Sequence, residues 1–366
     1  MNVGEMDQLA RTPGSVERAP LWSIGLTALL AGSGFARRPI SAAGRAKPAG
    51  AAQSEAGRGR SATTPSEIPA RGWKDILWRV YAGIDDDRIL ANAAAVTFYA
   101  LLALFPAIAA LVSIYGLFAD PGTIARQLDS LPGVLPGGAV DVVRDQLSRL
   151  TAQGSTKLSI SFVISLAISL WSANGGVKAL FDALNVVYEE NEKRSFIRLN
   201  AISLAFTIGM IAFVVAALVC VIAVPAVLSH LPSVIGEIVN FARWPALLLL
   251  VAVALALIYR YGPSRTEPLW RWISWGSAFA AVVWLAASAL FSWYAANFGS
   301  FNKTYGSLGA VIGFMIWIWV SSIVILIGAK LNAETEHQTA RESTTGPPKP
   351  LGERGARMAD TVGPAR

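Results

Sequence analysis

The chain has 366 residues, 54% of them hydrophobic and 15% charged, with 31 Lys and Arg against 24 Asp and Glu. A soluble domain is nearer a quarter charged, so the composition excludes an ordinary soluble enzyme. The net charge of +7 fits cytoplasmic loops and anionic headgroups better than nucleic acid, because Lys and Arg in so apolar a chain follow the positive-inside rule.

Residues 1–70 read as a disordered tail. From 41 to 70 the chain is rich in Ala, Gly, Ser, Pro and Arg and poor in large apolar residues, too little to offset the entropy of ordering. Leu21–Leu30 is a short apolar island, read as interfacial or disordered rather than as a cleaved signal. In the stretch 72–84, Trp73, Ile76, Leu77, Val80 and Tyr81 share one helical face, with Arg71, Lys74 and Arg79 beside or off it. This predicts an amphipathic helix that lies on the membrane surface or against the bundle.

Six stretches then contain no Asp, Glu, Lys or Arg: 89–119, 158–177, 199–236, 244–259, 272–302 and 304–329. Five reach the roughly 20 residues a spanning helix needs, and the short fourth one begins and ends in aromatics. The first span carries Pro106, a kink point. Val140, Val143, Leu147 and Leu150 mark a second short amphipathic helix before the second span, 158–173. There Ser161, Ser165 and Ser169, with Ser172 nearby, predict a helix-packing stripe. Asn174-Gly175-Gly176 is expected to loosen the helix before an amphipathic piece at 177–188. The third and fourth spans lie within 199–228 and 244–262. Trp270, Trp272 and Trp275 open the fifth span, within 270–296, and Trp293 and Tyr294 close it, as an aromatic belt at both interfaces. Gly306, Gly309 and Gly313 give the sixth, within 307–333, a flat packing face. Residues 337–366 read as a second disordered tail. The fold class is therefore all-α: a polytopic six-transmembrane-helix bundle over 71–336, with short interfacial helices and disordered tails. Basic residues concentrate before span one, in the 2–3 and 4–5 loops and in the C-terminal tail, which predicts both termini in the cytoplasm.

Metal and cofactor chemistry has little to work with. The one cysteine, Cys220, and the two histidines, His230 and His337, have no partners at ligand spacing, and no nucleotide or nucleophile motif occurs. No cofactor, no metal and no catalytic residue is expected.

Four segments have a familiar look: Ala94–Pro106 (AAVTFYALLALFP), Leu170–Asn185 (LWSANGGVKALFDALN), Tyr259–Pro263 (YRYGP) and, the longest, the one that opens with Asn297–Ile312 (NFGSFNKTYGSLGAVI) and ends at Gly328–Glu334 (GAKLNAE). Over about residues 71–336 the chain resembles the YihY/BrkB family of bacterial inner-membrane proteins, historically catalogued as "ribonuclease BN", a misassignment. The resemblance implies a six-helix fold in the bacterial cytoplasmic membrane, virulence roles for some members, and, from one branch, export of a lipopolysaccharide precursor. The family usually has Glu where this chain has Lys330, which puts a role for an acid there in doubt, while Glu334 remains.

Two clusters are candidate sites. Between spans five and six, Asn297, Ser300, Asn302, Lys303, Thr304 and Tyr305 gather amides, hydroxyls and one cation suited to a phosphate or carboxylate headgroup. The competing reading is a hydrogen-bonded turn with Lys303 snorkelling. At the cytoplasmic mouth, Trp171, Asn174, Lys178, Asp182, Asn185, Tyr259, Arg260 and Arg265 form the second cluster, where the competing reading is a structural salt bridge between Asp182 and an Arg of the 4–5 loop. No acid or base lies at mid-membrane depth, which argues against a proton relay. The expected function is a transporter or translocator of lipid or envelope precursor, with membrane lipids as partners. The alternative is a non-enzymatic membrane scaffold with envelope-assembly protein partners. Ribonuclease chemistry is not expected, because the acids are scattered in runs such as Asp85-Asp86-Asp87 and Glu189, Glu190 and Glu192 rather than gathered around cations. A homo-oligomer is left open.

Overall fold

The computed structural model describes residues 57–116, 160–218, 233–298 and 309–365. After a 3-10 turn at Pro65–Glu67 come α1 (Ala70–Asp86), α2 (Ile89–Gly116), α3 (Ile160–Val187), α4 (Phe196–Leu218), α5 (Ser233–Tyr261), α6 (Trp270–Phe298), α7 (Gly309–Glu336) and the single turn α8 (Arg357–Asp360). The described residues form no strand, only an isolated bridge between Pro268 and Thr344. Helices α2 to α7 are each long and apolar enough to cross a membrane. At 1.5 Å per residue the 28 residues of α2 run about 42 Å, longer than a hydrocarbon core of about 30 Å.

The helix ends follow local chemistry. Proline at position 69 precedes α1, and its carbonyl accepts the N–H of Trp73 at 3.1 Å. Arg88, at φ 50°, turns the chain from α1 into α2, and Asn92 braces the corner by donating its side-chain amide to the Asp87 carbonyl at 2.7 Å. Gly262 stops α5: a Cβ there would lie 2.5 Å from the Ile258 carbonyl oxygen and 2.8 Å from Leu184, so only glycine followed by Pro263 fits this exit.

Helix α3 runs unbroken through Asn174-Gly175-Gly176, where the sequence predicted a loosening. Gly176 instead permits close approach: its Cβ would sit 3.3 Å from the Cα of Ala100 and the Cβ of Ala103 on α2, the helix with which α3 makes its most extensive contact. The serine stripe does not pack as expected, since Ser165 and Ser172 stay exposed and Ser169 is only half-buried. Ala173, Val177, Leu180 and Leu184 are the buried face instead. The glycines of α7 also change roles. A Cβ at Gly313 would meet nothing within 4 Å, whereas one at Gly328 would lie 2.6 Å from both Ala280 and the Tyr259 hydroxyl. The close approach of α6 and α7 therefore runs through Gly276 and Gly328, and the Gly276 N–H donates to Asn332 Oδ1 at 2.8 Å. Pro106 lies within an otherwise continuous α2. Of the aromatic belt, Trp270, Trp275, Trp293 and Tyr294 are exposed, but Trp272 is 1% exposed. It packs with Ile76 and Val80 of α1 and Leu331 of α7, because it falls on the inward face of α6.

The tails differ most from expectation. Residues 57–69 and 337–365 are ordered against the end of the bundle where α1 lies. Arg60 donates to the carbonyls of Gln338 (3.1 Å) and Gly363 (2.7 Å). Arg354 donates to those of Ala340, Arg341 and Ala359 at 2.7–2.9 Å. The Asp360 carboxylate accepts the backbone N–H groups of Gly352, Arg354, Gly355 and Ala356, and Met358 enters the main core. Apolar content alone undercounts such a segment, because buried guanidinium and carboxylate groups satisfy its backbone. Residues 1–56, with the Leu21–Leu30 island, and the amphipathic helix expected around 140–150 lie outside the described residues.

Candidate functional site

Two polar clusters stand out in this apolar bundle. The first seals the end where the tails fold. Helix α1 is docked by Arg79, which reaches Glu334 of α7 at 2.6 Å and also donates to Gln338 Oε1 at 2.7 Å. Lys330 pairs with Asp87 at 2.8 Å and with Glu334 at 3.2 Å. Gly83 makes this crossing possible, because a Cβ there would collide with the Lys330 side chain. At the position where the resemblance implies an acid, this chain thus has a buried cation with two acid partners. Arg265 and Glu336 meet at 2.6 Å with side chains 0% and 2% exposed. Ser343 donates to Glu336 at 2.6 Å, and the Arg265 guanidinium lies 5.1 Å from the Tyr188 ring.

The electrostatics follow from burial and partners. Burial works against the Arg265 charge, but Glu336 outweighs it and raises the guanidinium pKa. Burial, reinforced by the Glu336 charge, lifts the Tyr188 hydroxyl above its usual range against the pull of Arg265. Glu192 goes the other way. Burial pushes its carboxyl up, but the side chain and backbone N–H of Arg194, with Asn185, hold it at about 2. Burial raises Asp87 to about 6 despite Lys330 beside it. A raised carboxyl pKa means that the folded state binds more protons, so its stabilising contribution is full below about pH 3.8 and is lost as pH rises through about 6. The stability of the wild type minus that of Asp87→Asn is expected to fall by about 2 kcal/mol between pH 4 and pH 7.5. Thermal unfolding of both proteins in detergent across that range checks it, and a flat difference would refute it.

The cytoplasmic-mouth residues do not form one site. Asn185, Tyr259, Arg260 and Arg265 are consumed by the fold. Asn185 Oδ1 accepts the Ser264 N–H at 2.7 Å, Tyr259 donates to the Ile325 carbonyl at 2.8 Å, and Arg260 donates to the Pro268 carbonyl at 2.6 Å while its guanidinium lies 4.5 Å from the Trp270 ring centre. The expected salt bridge from Asp182 to the 4–5 loop is not formed, since Arg260 pairs with Glu267 and Arg265 with Glu336. Asp182 is exposed on α3.

Trp171, Asn174 and Lys178 gather elsewhere, on a seam between α3 and α4. Half-buried Lys178 donates to Asn200 Oδ1 at 2.5 Å and lies 5.2 Å from the centre of the Trp171 ring, which is 54% exposed. One turn earlier, buried Asn174 accepts from Thr207 at 3.3 Å, while its Nδ2 finds no hydrogen-bond acceptor. Sequence reasoning missed the α4 half of this seam. The signal was present: Asn200, Ser203 and Thr207 fall at i, i+3 and i+7 on an apolar helix, a polar stripe on one face.

Of the other cluster, Asn297 falls in the last turn of α6, while Ser300, Asn302, Lys303, Thr304, Tyr305 and Gly306 lie outside the described residues. Gly309 is the first residue of α7.

A six-span helical bundle with a sealed, charge-locked end and one polar seam on its flank defines an integral multi-pass membrane protein. The virulence factor BrkB family model matches residues 80–352, and the chain belongs to that family. It is 28% identical over 257 residues to the ribonuclease-like protein YfkH of Bacillus subtilis (strain 168), covering 66% of this chain and 88% of that one. It is 27% identical over 274 residues to a UPF0761 membrane protein of Neisseria meningitidis serogroup B, covering 71% of this chain but only 63% of that longer relative. A UPF0761 membrane protein of Alkalilimnicola ehrlichii is 28% identical over 277 residues, with 71% and 58% covered. No solved structure matches the chain.

Proposed function

We propose that the protein is a non-enzymatic translocator of anionic lipid or of an envelope glycolipid precursor, and that the α3–α4 seam meets the headgroup. The observation that carries this reading is Lys178. It is a half-buried cation within a spanning helix, held by Asn200 and Trp171 rather than by an ion pair, and Phe196 and Ile197, in the turn of α4 before Asn200, are exposed. A cation held by an amide oxygen and an indole is open to an incoming phosphate, and the aromatic face beside it suits the apolar boundary of a headgroup. The 5–6 segment, with Lys303, is proposed as the matching contact at the other end of the path. The basic distribution of the loops supports a bacterial cytoplasmic-membrane location with both termini inside the cell.

The test is lipid movement in proteoliposomes, using headgroup-labelled phospholipid and a glycolipid. Wild type accelerates movement, and Lys178→Ala slows it about tenfold, the effect of losing roughly 1.4 kcal/mol of charge-assisted contact. Identical rates with protein-free vesicles for both lipids would discard the translocator and leave the scaffold reading.

A further inference from the structure

On the opposite flank, α1, α6 and α7 enclose an apolar trough of about 270 Å³, just under the usual range of small-molecule pockets of about 300–1,000 Å³. Trp73, Leu77 and Val80 form one wall, Trp275 and Phe279 the other, and Ile327 lies between them. The trough is open along its length: Leu77 is 58% exposed and Trp275 49%. Because α6 and α7 are spanning helices, the medium it opens into is lipid.

Its two ends differ in charge. On α6, Arg271, Trp275 and Phe279 follow one another at single-turn steps, so a cation precedes an indole and then a phenyl ring. Opposite Trp275, at 5.6 Å between ring centres, stands Trp73, whose neighbour is Lys74. Arg71 lies one turn before Lys74. Arg71, Lys74 and Arg271 are all exposed, and their side chains make no hydrogen bond or ion pair among the described residues. The nearby carboxylate of Glu67 is already engaged by the N–H and hydroxyl of Thr63. Asp75, beside Lys74 on α1, is buried and paired with Arg58 at 2.8 Å, and the other acids of α1, Asp85 and Asp86, sit at its far end, about 16 Å along the helix from Lys74. Unpaired cations at one mouth, an indole pair behind them and a purely apolar channel beyond reproduce the order of a phospholipid: phosphate, ester region, acyl chain.

We propose that this trough is a resident site for one acyl chain of an anionic phospholipid, with Lys74 and Arg271 on its phosphate. The site goes beyond the translocation reading, since it shares no residue with the α3–α4 seam. The lipid would wedge α1 against α6 and fix the interfacial helix on the bilayer.

The test uses the full chain in nanodiscs of phosphatidylcholine carrying a minor fraction of phosphatidylglycerol or of phosphatidylcholine with a photoreactive diazirine in the acyl chain. Adducts are mapped by peptide mass spectrometry. The phosphatidylglycerol probe is expected to label the peptides holding Leu77, Phe279 and Ile327 in preference to the rest of the bundle and above the phosphatidylcholine probe. Lys74→Ala and Arg271→Ala should each lower that label about fivefold while leaving phosphatidylcholine labelling unchanged. Leu77→Trp, which fills the trough from an exposed position, should remove it for both lipids with an unaltered size-exclusion profile. Label spread evenly over the six spans, equal labelling by the two probes, insensitivity to Leu77→Trp, or chain-to-chain adducts showing a second copy on this face would each overturn the site.

Discussion

Arg265→Met is expected to lower stability by about 3–5 kcal/mol, enough to remove most folded protein from a detergent extract. The substitution roughly keeps volume but removes the charge and the guanidinium's donors, including the one to the Thr266 carbonyl at 3.2 Å. It strands Glu336, whose side chain is 2% exposed and which keeps, among the described residues, the hydrogen bond from Ser343 at 2.6 Å. A buried carboxylate without its cation carries the full desolvation cost, and the end of α7 on which the tail is seated bears it. The double variant Arg265→Met, Glu336→Leu is expected to recover most of the loss, since replacing both members of a buried pair by apolar groups is often neutral. Thermal unfolding of the three proteins gives the answer, and a single variant as stable as the wild type would show that the pair does not hold this end together.

Gly328→Leu should be as damaging, for a steric reason. The first added carbon already falls 2.6 Å from both the Ala280 methyl and the Tyr259 hydroxyl, and that hydroxyl is itself committed to the Ile325 carbonyl at 2.8 Å. Overpacking a well-packed site costs about 1–3 kcal/mol for extra methylenes that find some room. Here α6 and α7 must separate, which also pulls Gly276 from Asn332. Loss of the monodisperse peak on size exclusion is the expected readout. Gly313→Leu is the control: with nothing within 4 Å of its Cβ, it should change stability by less than about 0.5 kcal/mol. Equal behaviour of the two variants would refute the assignment of Gly328 to the helix crossing.

These two positions also mark where the sequence was legible. Charge-free runs locate all six spans, because the bilayer sets length and polarity together and the signal is local. Glycine roles were not legible. Gly313, in a recognisable spaced pair, meets open space, while Gly276 and Gly328, isolated in their own helices, hold the crossing. Which glycine faces a neighbour depends on the rotation of a helix, and apolarity on every side leaves that undetermined. The mouth residues show the same limit. Arg260, Arg265 and Asn185 lie at or just beyond helix ends, but whether a side chain there faces substrate or protein depends on partners such as Glu336 and Ser343, which lie far along the chain. The ordered tail was missed because polar satisfaction, unlike apolar content, has no period.

The Arg79–Glu334 pair spans 255 residues of sequence and the Arg60–Gly363 contact 303. At synthesis rates of about 5–20 residues per second, Glu334 emerges between about 13 and 50 s after Arg79. Until then the interfacial helix has a cation without its acid, free to hold to anionic headgroups. The end of the bundle closes only when the last span delivers Lys330 and Glu334 and the tail follows. A nascent chain that stalls before that point exposes two arginines and a set of empty carbonyls at the membrane surface. Segments as far as 303 residues apart thus form a single clasp, and it closes only once the last span and the segment after it have been made.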